Sequence, residues 1–311
     1  MPKFQCAPAS TERAEPIFAT ASQVRRWLLV EVGGSWGRDA VANTALAPQV
    51  TDHWRQAMRT ADVRVVVIRR NVERSETGPS TLFYVETAHG RRRPGRIWRR
   101  AIASLADVTG ATDDLPGAGG ADGPGDGWIE HPDTLLLVCT NGKHDACCAT
   151  FGRPLVRALR DSAHADDVWE CSHIGGDRFA GNLVILPEGL YFGRCAPADG
   201  PSIVDAFDRG LIDLDHYRGR STLGFMAQAA EFFTRRELGL DTIDAVRAVR
   251  RVGEPSAGTF AVDVVDEPGH PATVAVTVRR TMGRTADALT CRGPTDLELP
   301  RYELVDLIPA R

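Results

Sequence analysis

Between residues 139 and 173 the sequence gathers five side chains able to bind a soft or borderline metal: Cys139, Cys147, Cys148, Cys171 and His173. The first three belong to Cys-Thr-Asn-Gly-Lys-His-Asp-Ala-Cys-Cys, which ends at Cys148. The other two open Cys-Ser-His-Ile-Gly-Gly-Asp, which ends at Asp177. Structural zinc takes four tetrahedral ligands, commonly in C-x2-C pairs, but eight residues separate Cys139 from Cys148. A dithiol redox pair calls for C-x-x-C at a helix start, and no such tetrad occurs. A loop with two cysteines facing a second loop with a spaced pair fits a [2Fe–2S] cluster bridging two strand ends. The vicinal pair Cys147-Cys148 could form a strained disulfide, but adjacency more often sends one thiol into the site and the other into the core.

Each cluster follows an apolar run that reads as a buried strand, Thr134–Val138 before the first and Asp167–Trp169 before the second. Around them the periodicity predicts a helix at Phe151–Arg160, with Pro154 tolerated in its first turn, a strand pair at Asn182–Leu186 and Leu190–Gly193, and a helix from Ser202. A similar order precedes it: strands at Arg26–Val32, Val63–Ile68 and Thr81–Glu86, with helices at about Pro48–Arg59 and Ile97–Val108. The fold class expected is therefore α/β (α+β), a tandem of βαββα thioredoxin-like units with a small C-terminal β-rich extension. The boundaries are 1–109 for a first unit without the cysteines, 110–127 for a Gly/Asp/Pro-rich linker, 128–238 for the cysteine-bearing unit and 239–311 for the extension. In the extension, Leu240–Val252 reads as a helix and the rest as strands. The residues before about 20 read as an irregular lead-in.

The chain as a whole narrows the function classes. At 311 residues, 43% hydrophobic and 25% charged, it has the composition of a globular protein, and its net charge of −4 argues against nucleic acid as a general partner. No apolar run approaches the about 20 residues of a membrane helix, and the N-terminus lacks a signal-type apolar core, so a cytoplasmic location without membrane contact is expected. Seven cysteines, an odd number, do not suggest a disulfide framework. Cys6 and Cys291, isolated near the ends, read as buried small hydrophobes, and the lone His144 and His164 as structural. Arg91 to Arg96 with Arg99 and Arg100 form a basic block, either a solvated face or a docking patch.

The spacing C-x8-C, followed by Cys-Ser-His-Ile-Gly-Gly-Asp-Arg-Phe-Ala-Gly-Asn through Asn182, resembles the sucrase/ferredoxin-like family; Phe151 to Pro154, Leu190 to Gly193 and Arg26 to Glu31 extend the likeness. The resemblance implies a thioredoxin-like [2Fe–2S] ferredoxin of the Cys/His-ligated type, an electron carrier serving an unidentified reductase or electron acceptor. It implies Cys139 and Cys148 on one iron and His173 on the other, with the family's second histidine falling on Asp177. Either Asp177 ligates in its place, or Cys171 or Cys195 substitutes, or the cluster is labile or absent; Cys147 is a further alternate. Lys143 would offset the cluster's charge, and Gly175 and Gly176 would let backbone amides approach it. Two other readings stay open: a thiol-dependent redox enzyme using Cys147 or Cys148, and a structural-zinc module. A redox carrier is favoured over a hydrolase. Sucrase chemistry receives no support, because no pair among the 41 acidic residues stands out as the two carboxylates it needs.

Overall fold

The computed structural model describes residues 3–51, 55, 59, 62–70, 78–88, 94–113, 115–116, 123–264 and 272–309. The helix expected at Pro48–Arg59, the Arg91 to Arg93 part of the basic block and the middle of the glycine-rich tract fall largely outside these residues.

Near-continuous apolar runs become the central strands. β1 (Arg26–Glu31) pairs parallel with β2 (Val63–Arg69) and antiparallel with β3 (Ser80–Glu86), which pairs antiparallel with β4 (Arg96–Ile102). Beyond the glycine-rich tract the same scheme recurs. β6 (Leu135–Cys139) pairs parallel with β7 (Val168–Cys171) and antiparallel with β8 (Leu183–Leu186), which pairs with β9 (Leu190–Phe192). Each half therefore has the strand order second-first-third-fourth. The halves join through their second strands, β2 and β7, by the antiparallel pairs Ile68 with Cys171 and Arg69 with Glu170. The short β5 (Ile129–Glu130) and β10 (Tyr217–Arg220) extend the two outer edges, giving one ten-stranded mixed sheet.

That sheet bends over on itself. Trp27 of β1 and Tyr191 of β9 lie five strands apart in the order, yet their rings are 6.3 Å apart. Phe83 of β3 similarly meets Trp169 of β7 edge-on at 5.4 Å. One apolar core fills the enclosed face and holds Cys139, Cys148 and Cys171 with Trp27, Val66 and Leu137. On the outer face of the second half pack α3 (Ala146–Arg160) and α4 (Asp199–Asp208), through Leu155, Leu159 and Ile203.

Several elements differ from expectation. The N-terminal lead-in contains α1 (Cys6–Glu12). The predicted helix at Ile97–Val108 is mostly β4, followed by a 3-10 turn (Leu105–Asp107) and the short α2 (Val108–Thr112); pairing with β3 along its whole length outweighs an Arg- and Ala-rich local preference for helix. The predicted helix at Leu240–Val252 is instead the strand β11 (Val246–Arg251), paired with β12 (Thr259–Val264). With β13 (Thr273–Thr285) and β14 (Leu297–Pro309) these form a second, four-stranded antiparallel sheet. It packs against α5 (Phe225–Leu238) through Ala229, Ala230, Val262 and Val276.

α5 also carries a buried polar network. Glu231 accepts from Arg235 at 3.0 and 3.1 Å through one oxygen and from the Tyr217 hydroxyl at 3.2 Å through the other, while Arg235 donates to the Thr242 carbonyl at 2.7 Å. Both ionic side chains are fully buried. Removing one partner of such a pair strands the other's charge, so Glu231→Ala is expected to lose about 3–5 kcal/mol of stability, measured by urea denaturation. A loss under about 1 kcal/mol would show the network to be dispensable.

Candidate functional site

The parallel pairing of β6 with β7 sets Cys139 opposite Cys171, so the loops after both strands leave the sheet side by side. The first loop runs into α3, whose N-cap is Asp145: its carboxylate accepts from the Cys147 amide at 2.9 Å. α3 therefore begins at Ala146, earlier than the periodicity suggested, and Cys147 and Cys148 sit in its first turn. Gly152 lets this helix close on the strand end, because a Cβ there would strike the Cys139 carbonyl.

The second loop turns through Gly175 and Gly176, at φ of 94° and 80°. Added Cβ atoms there would meet the Ser22 hydroxyl and the Arg218 guanidinium. These glycines therefore serve packing against Arg218 in addition to the turn. Arg218, on β10, is itself buried and donates to the Gly175 carbonyl at 3.0 Å, the Asn182 side chain at 2.8 Å and the Thr20 carbonyl at 2.7 Å. Burial lowers its pKa to about 10, which leaves it charged at neutral pH. Asn182 in turn donates to the Gly176 carbonyl at 2.9 Å. This brace fixes the loop that presents His173 and Asp177.

At the meeting of the loops Asp177 is the hub. Its Oδ1 accepts from the Cys148 thiol at 3.2 Å and lies 3.0 Å from His173 Nδ1; its Oδ2 lies 3.5 Å from His144 Nε2. The two imidazoles stack, with centroids 3.9 Å apart. His144 Nδ1 lies 3.2 Å from the Arg38 carbonyl, which can only accept. This fixes the tautomer with hydrogen on Nδ1 in the neutral ring and leaves the Nε2 lone pair facing Asp177. His173 Nδ1 is buried without a hydrogen-bond partner, its 3.0 Å approach to Asp177 being misdirected for a hydrogen bond. The donor atoms of His144, His173 and Asp177 all lie within 4.8 Å of one another. Both histidines border a cavity of about 490 Å³ that Arg38, Arg64 and Asn141 also line.

The electrostatics follow from burial and neighbours. Burial pushes the Asp177 carboxyl up, but His144, His173 and the Cys148 thiol together outweigh it and hold its pKa well below the usual carboxylate range. The same carboxylate raises that of His144 above the ordinary imidazole value. The neighbouring Cys148 lowers the Cys139 pKa, and Cys139 together with burial raises that of Cys148.

The expected site residues are thus only partly brought together. Cys139, Cys148, His173 and Asp177 converge. His144, read from the sequence as structural, belongs with them; its place inside the Cys139–Cys148 segment was the available signal. Arg218 was also missed, since nothing local marks an arginine on a later strand. Cys171 lies in the core beside Cys139, with burial raising its pKa. Cys195 packs on the outer face with Leu155, away from the loops. Lys143 borders a different cavity, with Arg153 and Arg157. Cys147 points away from Cys148 towards Cys6 and Cys291, its sulfur 3.4 Å from that of Cys291.

The sucrase/ferredoxin-like family pattern matches residues 17–219, most of the chain. The chain belongs to that family. Among curated relatives, the protein named Altered inheritance of mitochondria protein 32 from Meyerozyma guilliermondii is 35% identical over 98 residues, covering 28% of this chain and 34% of the relative. Its namesake from Eremothecium gossypii is 35% identical over 99 residues, covering 27% and 32%. The one from Candida glabrata is 28% identical over 105 residues, covering 29% and 34%. The aligned stretch thus spans about a third of the length of these curated relatives. No solved structure matches the chain.

These relatives are not named as ferredoxins. The electron-transfer assignment that the resemblance implied, with its ferredoxin and [2Fe–2S] labels, is therefore corrected: the comparisons establish family membership and nothing finer. The physical departure lies at Asp177, where a hard, buried carboxylate replaces the imidazole on which the Cys/His-ligated reading depended.

The coupling between Asp177 and His144 is testable on metal-free protein. A raised imidazole pKa contributes stability that is complete below about 6.5 and is lost as pH rises through the folded-state value; the depressed Asp177 contributes above about 3.9 and is lost as pH falls through its own. Asp177→Asn should return His144 towards its ordinary pKa, read by NMR titration of the ring. An unchanged titration would show that Asp177 does not set it.

Proposed function

We propose that this chain is a transition-metal-binding protein in which a single ion sits between His144 Nε2, His173 Nδ1 and Asp177, with the Cys148 and Cys139 thiols directly behind the carboxylate. The carrying observation is the buried His173 Nδ1, which has no hydrogen-bond partner although a carboxylate oxygen lies 3.0 Å away. Nitrogen and oxygen ligands about 2.1 Å from a tetrahedral ion stand about 3.4 Å apart, and the separations of 3.0 and 3.5 Å bracket that value. Two histidines and one carboxylate leave further positions of the ion open, here towards the cavity beside Arg38 and Arg64.

The Arg38 carbonyl orients His144 so that Nε2 is the free donor. Arg64 holds the His173 backbone by donating to its carbonyl at 2.9 Å, and the Arg218 brace fixes the rest of that loop. The Cys148 hydrogen bond and the two imidazoles keep Asp177 ionised and ready to ligate. Residues 128–238 carry the site in this reading, and residues 1–109 supply Arg38, Arg64 and the cavity wall. Seven cysteines without a disulfide fit a reducing, cytoplasm-like compartment. No described helix is long and apolar enough to cross a membrane.

Metal content of the purified chain tests the proposal. One transition-metal ion per chain is expected at this site. His173→Ala or Asp177→Ala should weaken its binding at least about tenfold, and the affinity should fall as pH drops below the raised His144 pKa, where protons compete for Nε2. Binding unaffected by both substitutions would refute the site. Iron accompanied by acid-labile sulfide would refute the single-ion reading.

A further inference from the structure

A second group of ligand side chains lies next to the first site and faces away from it. Cys6 of α1, Cys147 in the first turn of α3 and Cys291 in the connection between β13 and β14 come together around Asp145. The sulfurs of Cys147 and Cys291 are 3.4 Å apart, and those of Cys291 and Cys6 are 3.7 Å apart. Cys6 Sγ lies 3.6 and 3.7 Å from the two oxygens of Asp145. All four donor atoms fall within 4.8 Å of one another, and Cys6, Cys147 and Asp145 are buried.

These spacings are those of a coordination polyhedron. Sulfurs bound at about 2.3 Å to one tetrahedral ion stand about 3.8 Å apart, and a sulfur and a carboxylate oxygen about 3.5 Å apart. As a plain hydrogen-bonded cluster the arrangement would be a poor one, since thiols are weak donors and the Cys147–Cys291 and Cys291–Cys6 contacts offer them only sulfur as acceptor. Asp145 is also held in place to ligate: the Cys147 amide donates to Oδ1 at 2.9 Å and the Cys291 amide to Oδ2 at 2.6 Å. Each oxygen keeps a further lone pair, and the α3 N-terminus offsets part of the negative charge of the set.

We propose that Cys6, Cys147, Cys291 and Asp145 form a second, structural metal site for a zinc-class divalent ion. Four protein ligands, mostly buried, close the coordination sphere, which is the form of a structural site. On binding, the three thiols release their protons to solvent and no electron is transferred. The ion ties the N-terminal helix and the β13–β14 connection to the start of α3, next to His144 and Cys148. Cysteines that seem unrelated in the sequence thereby become three ends of one clasp.

The test measures metal equivalents by mass spectrometry on zinc-loaded full-length chain, comparing the parent with Cys291→Ser and with His173→Ala. Cys291 is only partly buried, so its substitution by serine should leave the fold intact. The parent is expected to hold two ions, Cys291→Ser to lose one of them, and His173→Ala to lose the other. A parent that holds one ion, lost in Cys291→Ser and kept in His173→Ala, would support the clasp while refuting the first site. Cobalt(II) loading provides the second measurement: the parent should show an intense thiolate-to-cobalt charge-transfer band that falls by at least half in Cys291→Ser. Unchanged metal content and an unchanged cobalt band in Cys291→Ser would overturn the proposal, as would a Cys147–Cys291 disulfide found by peptide mapping of protein purified without reductant.

Discussion

A carboxylate buried almost completely beneath two imidazoles is the constraint around which the second half of this molecule is arranged. Asp177 has 4% of its surface exposed, and an ionised group so placed must be compensated by its neighbours. His144, His173 and Cys148 supply that compensation; the two histidines lie in loops that leave adjacent parallel strands, and Cys148 lies in the helix turn that follows the first loop. The β6–β7 pairing is thus what makes the chemistry possible: it sets Cys139 against Cys171 in register and brings the two loops into contact. Arg218 then fixes the second loop from a strand at the far edge of the sheet.

The repeated half gives the site its outer wall. Because the halves join edge to edge through β2 and β7, Arg64 of β2 reaches the His173 carbonyl and the Ser172 hydroxyl accepts from the Val67 amide at 3.1 Å. Arg38, in the loop after β1, supplies the carbonyl that orients His144. A half without cysteines therefore has a physical role at the site. It shapes the cavity and sets the tautomer of one ligand, and it encloses the apolar core in which Cys139 and Cys148 are buried.

Much of this was legible in the sequence, for identifiable reasons. Strands β1 to β3 and β6 to β9 announce themselves as short, largely apolar runs, and the two ligand-bearing loops fall after two of them. The strands β4 and β11 were read as helices because Arg, Ala and Leu favour helix locally, and only pairing with β3 and β12 decides otherwise. His144 stands 29 residues before His173, and no local spacing shows that their rings stack. Cys6 and Cys291 are 285 residues apart and looked isolated for that reason, although their sulfurs touch. Contacts of this length are set by tertiary packing, which composition and periodicity do not encode.

The proposed function places a metal ion between His144, His173 and Asp177. The most direct test is an anomalous-scattering map from crystals of the metal-loaded chain, because it locates each ion separately and identifies the element. One peak is expected about 2.0–2.2 Å from His144 Nε2, His173 Nδ1 and an Asp177 oxygen, separate from the peak expected at the Cys6, Cys147 and Cys291 clasp. An occupied clasp at Cys6, Cys147 and Cys291 with no density among the histidines would contradict it, as would a pair of iron peaks bridged by sulfide.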